Sequence, residues 1–391
     1  MLWCRLHWHV AAFFLGLSAA LSFNAYGQEQ TGQRIQTDIP SLYQSLAGYF
    51  PVGAAIWQGD ISGAHSELLT RHFNSITAEN AMKWAVIEPV EGQFNFAPAD
   101  ALVDFAKTHH MRVRGHTLCW HKQVPAWVFQ DSDGKEMTPS PANKALLLRR
   151  LENHIRAVVS HYKKDVYAWD VVNEVIDPKQ PDGFRRSSWF LITGTDYIAV
   201  AFRVAHEVDP EARLYINDYD TTDLPKRTLL YQLVRDLRKR GVPLDGVGHQ
   251  MHSTIQAPSA AAVVKTINLF SALGVDNQIT ELDVSVYTDQ TSRYATIPEA
   301  LLQQQGSQYR GYFAAFRKLK GKISSVTLWG QADDHTWKKN FPIRRLDMPL
   351  LFDEHLQAKP AFWAIVDPAH RPPTRAAAGQ GIVPPFKNRQ R

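Results

Sequence analysis

The chain has 391 residues, of which 45% are hydrophobic and 21% charged, and it carries a formal net charge of +5. This composition is typical of a globular protein and argues against a disordered, fibrous or membrane-embedded one. The 43 lysines and arginines are scattered among 38 acidic residues rather than gathered on one face, so we expect no nucleic-acid partner.

An export signal is predicted at the N-terminus, where Arg5 precedes an apolar run over residues 10–21. The run is too short for a transmembrane helix. We therefore predict a signal peptide over residues 1–27, no membrane anchor, and a secreted or periplasmic protein. Removal of this segment takes away Cys4 and leaves Cys119, so the mature chain cannot form an internal disulfide.

Eight short β-like runs recur along the chain, with amphipathic helical patterns between them. The predicted strands are Val52–Ile56, Phe73–Thr77, Met111–His116, Val166–Val172, Arg213–Asn217, Gly246–His252, Gln278–Asp283 and Ser325–Trp329. The predicted helices include Leu147–Tyr162, Thr195–Val208, Thr228–Arg240 and Gln308–Leu319. Strands that alternate with helices imply parallel βαβ units.

Eight such units predict a closed (β/α)8 TIM barrel, an α/β fold. No glycine-rich phosphate fingerprint follows the first strand, which argues against a dinucleotide-binding sheet. We predict a single catalytic domain over residues 28–370. The basic segment 371–391, rich in Pro, Ala and Gly, is predicted to be disordered.

Polar and aromatic residues follow the predicted strands. Active sites of such barrels form at the C-terminal strand ends. Seven of the eight ends carry side chains that a purely structural barrel does not need, namely Glu79, Asn80, His116, Asn173, Glu174, Asn217, Asp218, Tyr219, Gln250, His252, Glu281, Asp283 and Trp329.

Two glutamates stand out among these residues. Glu174 ends the apolar fourth strand, so its carboxyl is expected at the top of the barrel, where partial burial suits a general acid. On the seventh strand, alternation places Glu281 and Asp283 on one face. His252 on the adjacent strand could lie between them and orient Glu281 as a nucleophile requires.

Two carboxylates in different surroundings on either side of one bond meet the requirement of glycoside hydrolysis. A separation of about 5–5.5 Å would indicate retention of the anomeric configuration, and one of about 6.5–9.5 Å would indicate inversion. The residues alone leave that choice open. Asn173 stands beside Glu174 and could hydrogen-bond the sugar 2-hydroxyl, a contact that strengthens in the transition state.

The sequence resembles the glycoside hydrolase family ten xylanases from about Val52 to Asp367. The resemblance is carried by Trp169-Asp170-Val171-Val172-Asn173-Glu174 and Ile279-Thr280-Glu281-Leu282-Asp283. It implies a retaining endo-1,4-β-xylanase with Glu174 as acid/base and Glu281 as nucleophile. We expect xylan and xylo-oligosaccharides as partners, a monomer, no cofactor and no metal.

Other residues match the family's substrate-binding positions. They are Glu79, Asn80 and Lys83 on the glycone side, His116, Trp120, His121 and Gln123 after the third strand, Tyr219, Gln250 and His252, and the Trp329 and Trp337 pair. Two residues depart from the family's pattern. Asp220 stands where relatives commonly carry Asn, which puts the aglycone side in doubt, and Cys119 replaces a β-branched residue, which should be silent.

Three other functions are open at this stage. A metal-dependent barrel hydrolase is suggested by His116, His121, His249 and His252, although alternation points His249 away from His252. A non-catalytic sugar-binding protein would be expected to lack one of the two glutamates. A β-1,4-glucanase, or a mixed xylanase and cellobiohydrolase, differs only in needing room for the C6 hydroxymethyl group.

The remaining aromatic and charged residues receive simpler interpretations. We predict that Trp84 and Trp169 belong to the core. The histidines predicted at the surface are His65, His72, His109 and His110. Arg185 and Arg186 could either reach the cleft or hold their loop.

Overall fold

The protein is described here by a computed structural model that covers residues 34–367 and Ala369. Its strands are β1 (Val52–Ile56), β2 (Ser75–Ala78), β3 (Arg112–Cys119), β4 (Val166–Asn173), β5 (Arg213–Asp218), β6 (Gly246–His249), β7 (His252–Thr254), β8 (Asp276–Ser285) and β9 (Ile323–Leu328). The segments assigned to the signal peptide, residues 1–27, and to the tail, residues 371–391, lie outside the described residues.

The helices occupy the connections between the strands. They are α1 (Leu42–Ser45), α2 (Gly63–His72), α3 (Trp84–Ile87), α4 (Ala97–Thr108), α5 (Pro141–His161), α6 (Ser188–Thr193), α7 (Asp196–Val208), α8 (Leu224–Lys239), α9 (Ala260–Ser271), α10 (Glu299–Lys318) and α11 (Pro360–Val366).

The strands close into a barrel in which all pairings are parallel. The strands β1 to β6 pair with their sequence neighbours, β6 pairs with β8, and β9 pairs with both β8 and β1. The short β7 continues the direction of β6 and pairs with β8. The predicted (β/α)8 barrel is therefore confirmed, as one domain.

The sixth predicted strand differs from its prediction, because it is divided. Its hydrogen-bonded part ends at His249, and pairing resumes at His252. Between them Met251 has a φ of 59°, in the left-handed region, which an extended strand cannot contain. The break turns the backbone just where Gln250 and His252 must reach the barrel mouth.

The barrel strands are buried on both faces, as parallel strands covered by helices must be. All five residues of β1 are buried, and so are the last seven of β3. Outside the sheet, α5 presents a buried stripe at helical spacing, including Leu147, Leu151, Ile155 and Val158. This apolar layer holds the strands, and therefore their C-terminal ends, at fixed positions.

A polar cluster fills the barrel interior below the strand ends. The buried Arg114 guanidinium forms two charged hydrogen bonds with Asp170 and donates at 2.8 Å to Gln278 Oε1. Burial raises the pKa of Asp170, but Arg114 and His116 outweigh burial and hold that pKa below its ordinary value. A buried ion pair is tolerated only when each member is fully partnered, so loss of either charge would leave the other buried and unpaired.

The predictions for isolated aromatic residues and histidines have mixed outcomes. Trp84 and Trp169 are buried, as predicted. The surface prediction for His72 is wrong, because its ring is buried against Phe352 and accepts a hydrogen bond from the Leu42 backbone N–H. His65 also has a partner, since its Nε2 donates to Asp334 at 2.7 Å. His109 and His110 are exposed, as predicted.

Candidate active site

The C-terminal ends of the strands surround a cleft of about 630 Å³. The sequence-predicted site residues that line it are Glu79, Asn80, Lys83, His116, Trp120, His121, Asn173, Glu174, Tyr219, Gln250, His252, Glu281, Trp329 and Trp337. Asp283 lies behind the lining and is fully buried. The residues that the strand-end pattern singled out therefore come together in one cleft.

Glu281 is the more tightly held of the two predicted catalytic residues. It lies on β8 with 6% of its side chain exposed. Its Oε1 accepts a hydrogen bond from Asn217 Nδ2 at 2.7 Å, and its Oε2 accepts one from His252 Nε2 at 3.0 Å. With a donor on each oxygen, the carboxylate has one preferred orientation.

His252 bridges Glu281 and Asp283, as predicted from strand alternation. Its Nδ1 donates to Asp283 Oδ2 at 2.8 Å. Burial lowers the pKa of His252, but the two carboxylates outweigh burial and raise it to about 9. The ring is therefore an imidazolium at neutral pH and donates from both nitrogens.

Asp283 is the fixed end of this chain of contacts. It also accepts a hydrogen bond from Trp337 Nε1 at 2.8 Å, and Lys338 Nζ lies 3.6 Å from its other oxygen. Burial raises the pKa of Asp283, but Lys338 and His252 outweigh burial and hold that pKa below its ordinary value. Asp283 therefore stays charged and keeps His252 protonated.

The orientation of two amides follows from their partners. Asn217 donates from Nδ2 to Glu281 and to Asn173 Oδ1, and its own Oδ1 accepts from Thr280 Oγ1 at 2.7 Å. Turning the Asn173 amide over would gain a 3.3 Å contact from Trp120 Nε1 and a 3.2 Å contact to Asn217 O. It would also set the Asn173 NH2 group against the NH2 groups of Asn217 at 2.9 Å and Gln250 at 3.1 Å, both of which are donors. Asn173 Oδ1 is therefore the acceptor, and its NH2 group remains to donate.

Amide groups also connect the two glutamates. Gln250 Nε2 lies 3.1 Å from Asn173 Oδ1 and 3.4 Å from Glu174 Oε1. Asn173 is in turn bonded to Asn217, which holds Glu281 at the far end. Three amide side chains thus set the two carboxylates in one network.

Glu174 directly follows β4 and has a left-handed φ of 58°. Its backbone is fixed, because its N–H donates to Asn217 O at 2.8 Å and its carbonyl accepts from Arg185 Nε at 2.6 Å. Its carboxyl contacts are long, at 3.4 Å from Gln250 Nε2 and 3.9 Å from His121 Nε2. A carboxyl with such loose partners can exchange them during a reaction.

His121 places an uncharged ring beside Glu174. Burial lowers the pKa of His121 to about 3, and the nearby cations Arg185, Lys122 and Lys226 add to the effect. Among the described residues no hydrogen-bond partner reaches its buried Nδ1. Glu174 therefore has no cation paired directly with its carboxyl on this side, in contrast to Glu281.

Lys83 and Asn80 form one end of the cleft. Lys83 Nζ donates to Asn80 Oδ1 at 3.0 Å and lies 4.9 Å from the centre of the Trp120 ring. Burial lowers the pKa of Lys83, although the carboxylates of Glu281, Glu79 and Glu174 favour its charged form. A buried ammonium among carboxylates, at the edge of a cleft, is suited to binding sugar hydroxyls.

The structure places Gln123 outside the cleft lining. Its Nε2 donates at 3.1 Å to Asn80 Oδ1, the same atom that Lys83 contacts. At the same end, Glu79 accepts a hydrogen bond from His335 Nε2 at 3.3 Å. Gln123 therefore supports Asn80 at this end of the cleft, and its direct contact with substrate stays a prediction.

Indole rings form the wall around His252. Trp329 is 8% exposed and packs edge-on against His116, with ring centres 5.2 Å apart. Trp337 packs against His252 at 4.6 Å and stacks on Phe341 at 5.5 Å. Flat apolar surfaces of this kind suit the C–H faces of sugar rings.

Tyr219 and Arg185 form the opposite end. Arg185 joins Tyr219 to Glu174, because it donates to the Tyr219 hydroxyl at 2.7 Å and to the Glu174 carbonyl. Lys226 Nζ lies 3.1 Å from the centre of the Tyr219 ring and 2.7 Å from Asp218 Oδ1. Burial raises the pKa of Asp218 to about 6. Lys226 opposes this rise, and the nearby Glu174 adds to it.

Sequence reasoning missed several residues that line the cleft. They are Lys122, Lys338, Phe341 and Pro342, and Arg185 was left undecided. Arg185 lies in the loop after Glu174, and Lys338 directly follows Trp337, so proximity to motif residues was the available signal. The alternation argument did identify His249 as structural, since it contacts Thr221 and Asn277 behind the sheet.

The histidines that suggested a metal centre have separate partners. His116 donates to Asp170, His252 lies between two carboxylates, and His249 contacts Asn277. Within residues 34–367, no group of three or more His, Cys, Asp or Glu side chains is arranged to hold a metal ion.

Comparisons with known proteins agree with this geometry. The family model described as "Glycosyl hydrolase family 10" matches residues 41–368. The protein named "Thermostable celloxylanase" from Thermoclostridium stercorarium is 46% identical, over 92% of this chain and 95% of that protein. "Endo-1,4-beta-xylanase A" from Halalkalibacterium halodurans is 45% identical, over 87% of this chain and 89% of that protein.

A solved structure gives the same result in three dimensions. The crystal structure of xylanase B from Clostridium stercorarium F9 superimposes with a TM-score of 0.83 at 49% sequence identity. The match covers 84% of this chain and all of that one. The likeness therefore extends over the whole barrel.

Proposed function

The chain belongs to glycosyl hydrolase family 10, and from that premise we propose that it is an endo-1,4-β-xylanase acting with retention of anomeric configuration. Relatives that carry xylanase names match more than four fifths of the chain. The observation that carries the proposal is the pair of glutamates in one cleft, of which only Glu281 has a close donor on each carboxylate oxygen.

We propose a double displacement at the bond between two xylosyl units. A Glu281 oxygen attacks the anomeric carbon while the Glu174 carboxyl gives its proton to the departing glycosidic oxygen. The bond from the anomeric carbon to that oxygen breaks, and a covalent glycosyl-enzyme forms. Glu174 then takes a proton from water, the water oxygen attacks the same carbon, and Glu281 is released.

The unequal contacts of the two glutamates support this division of roles. Glu281 must present one oxygen in a constant direction, and its donors Asn217 and His252 provide that. Glu174 must alternate between acid and base, and its contacts of 3.4 and 3.9 Å allow the change. The NH2 group of Asn173 lies in the same cleft and is the proposed donor to the sugar 2-hydroxyl.

A β-1,4-glucanase activity is the second candidate, because one close relative is named a celloxylanase. Glucan differs from xylan by a hydroxymethyl group on each ring. Lys83, Trp329 and Trp337 line the cleft and would have to leave room for that group. Xylan remains the main proposal, since the other relatives named above are called xylanases.

We also propose that the protein is exported, on the strength of the charged and apolar pattern in residues 1–27. None of the helices among the described residues is long and apolar enough to cross a membrane. Expression of the full chain in a bacterial host, followed by fractionation and N-terminal sequencing, tests this. An uncleaved chain retained in the cytoplasm would contradict the proposal.

Product analysis tests the enzymatic proposal most directly. The purified enzyme is incubated with linear xylan, arabinoxylan and a β-1,4-glucan, and the first products are followed by proton NMR. We expect short xylo-oligosaccharides from internal cleavage, with the β-anomer appearing before mutarotation. An α-anomer as first product would contradict retention, and glucan as the better substrate would favour the second candidate.

A further inference from the structure

Asp220 is an acidic side chain of the cleft lining that lies outside the network of the two glutamates. It follows Tyr219 at the end of β5 and has a left-handed φ of 52°, which aspartate tolerates better than most residues. Among residues 34–367, no hydrogen bond or ion pair reaches its carboxylate. It is therefore an exposed acceptor on the cleft surface, and no side chain among the described residues occupies it.

The cations near Asp220 are committed to other carboxylates. The charged groups that act on it are Lys226, Asp223, His252 and Lys338. Lys226 lies 2.7 Å from Asp218. His252 and Lys338 contact Asp283 at 2.8 and 3.6 Å, so these cations act on Asp220 from a distance and none of them forms an ion pair with it.

Asp220 also lies at a defined end of the cleft. Its neighbour Tyr219 is tied by Arg185 to the backbone of Glu174, which makes this the Glu174 end. Lys226 occupies one face of the Tyr219 ring, while Tyr219 itself lines the cleft. A ring surface beside a charged acceptor is a suitable receptor for a sugar with free hydroxyl groups.

We propose that Asp220 selects the leaving-group sugar by charge, accepting a hydroxyl of a neutral xylosyl unit and disfavouring a unit that bears a uronic acid branch. This inference rests on the proposed function, in which Glu174 protonates the leaving oxygen and the departing sugar lies on its side. The attraction is a charge-assisted hydrogen bond. The exclusion is repulsion between two carboxylates in a partly desolvated cleft.

The test compares Asp220→Asn with the wild type on three substrates: linear xylohexaose, a xylo-oligosaccharide bearing one glucuronate branch, and an aryl xylobioside. We expect the ratio of kcat/KM for the acidic over the neutral oligosaccharide to rise by about three- to tenfold, as expected for one like charge at ~8 Å in an intermediate dielectric. The aryl xylobioside should change less than either oligosaccharide, because its leaving group is not a sugar. Added salt should reduce the difference in this ratio between Asp220→Asn and the wild type, because ions screen the repulsion between the two carboxylates.

Two further variants serve as controls. Asp223→Asn removes the same charge three residues away, outside the cleft lining, where the side chain makes no helix-capping bond. Its ratio should rise far less than that of Asp220→Asn. Asp220→Glu keeps the charge and should keep the low ratio. An unchanged ratio in Asp220→Asn, or an equal rise in Asp223→Asn, would overturn the role of Asp220.

The aryl xylobioside and xylohexaose separate this inference from the proposed function. Wild-type turnover of both supports the function whatever the ratio is. If the wild type cleaved neither, the proposed function would fail and the Asp220 proposal with it. An equal loss on all three substrates in Asp220→Asn would indicate damage to the cleft and would overturn charge selection.

Discussion

At the scale of single residues, the two glutamates differ in the atoms that contact them. Glu281 has a donor within 3.0 Å of each oxygen, whereas the nearest side-chain donor to Glu174 lies at 3.4 Å. Two side chains of the same type therefore serve different chemical purposes, according to how firmly their surroundings hold each carboxylate. Substitutions at the two positions should have different consequences.

The two glutamates should respond differently to replacement by alanine, and the difference should depend on the substrate. Glu281→Ala should abolish turnover of every substrate, since no covalent intermediate can form. Glu174→Ala should slow cleavage of xylan by roughly 10²–10⁴-fold, the usual worth of general acid catalysis, but should spare aryl glycosides with good leaving groups. Steady-state kinetics on both substrates, with unfolding temperatures as a control for folding, measures this. Equal losses on xylan and the aryl glycoside would contradict the role of Glu174.

His252→Asn should lower kcat by roughly ten- to a hundredfold, the worth of one hydrogen bond to a charged group. Stability should change with pH as well. The pKa of His252 is raised from 6.5 to about 9 on folding, so its contribution is fully present below pH 6.5 and is lost as the pH rises through 9. The difference in unfolding temperature between wild type and variant should therefore shrink between pH 6.5 and 9.5.

The exposed His355 provides the matched control for that experiment, since 76% of its side chain is accessible. His355→Asn should follow the wild type at every pH. If the difference in unfolding temperature between the wild type and His252→Asn stayed constant from pH 6.5 to 9.5, His252 would not be held as an imidazolium.

At the scale of elements, β6 makes room for side chains of β5. Gly246 and Gly248 lie on this strand, and a Cβ on either would fall 2.3 Å from a β5 side chain, Tyr215 and Asn217 respectively. The two glycines thus allow close approach between strands. Only Gly248 faces the amide that holds Glu281.

Gly248→Ala should therefore reduce activity as well as stability, because it displaces Asn217 from Glu281. Gly246→Ala, which meets Tyr215 and the Asp276 carbonyl, should lower the unfolding temperature by a similar amount. The measurement is kcat for both variants well below their unfolding temperatures. Equal kcat values would show that the Asn217 contact does not matter for catalysis.

Element types were predictable from the sequence, and element boundaries were less so. β1 was predicted with its observed limits, because a short apolar run between turn residues has few alternatives. Helix α5 begins at Pro141, six residues before the prediction, since its first turn is polar and Ser140 caps it through a side-chain bond to Asn143 N–H. Polar first turns carry no apolar periodicity and are missed for that reason.

Site residues on strands were more predictable than those on loops. Alternation along β8 placed Glu281 and Asp283 correctly, and pairing with β7 brought His252 between them. Arg185 and Phe341 reach the cleft from loops, where no period relates sequence position to direction. The break at Met251 likewise depends on one left-handed residue that the sequence pattern does not mark.

At the scale of the whole molecule, several buried histidines are neutral in the folded state. Burial lowers the pKa of His72 to about 3 and that of His249 to about 4. For a histidine whose pKa is depressed on folding, the unfolded chain takes up a proton first as the pH falls. The protein should therefore lose stability on acidification from pH 6.5 towards 4, at up to about 1.4 kcal/mol per pH unit for each such group.

His72→Asn tests this. The variant loses ring packing against Phe352 and should be less stable than the wild type at pH 7. On acidification the difference should narrow, because only the wild type loses stability through His72. Chemical denaturation between pH 7 and 4 measures it, and a difference that widens towards pH 4 would contradict the neutral state of His72.

The bridge from Glu281 through His252 to Asp283 also implies a change in the site's charge within each catalytic cycle. When Glu281 becomes an ester of the sugar, it loses its negative charge, and Asp283 alone remains to favour the proton on His252. The imidazolium should therefore be a stronger acid in the glycosyl-enzyme than in the free enzyme. Alkaline conditions should accordingly slow the hydrolysis of the intermediate before they slow its formation, so that covalent enzyme accumulates as the pH rises.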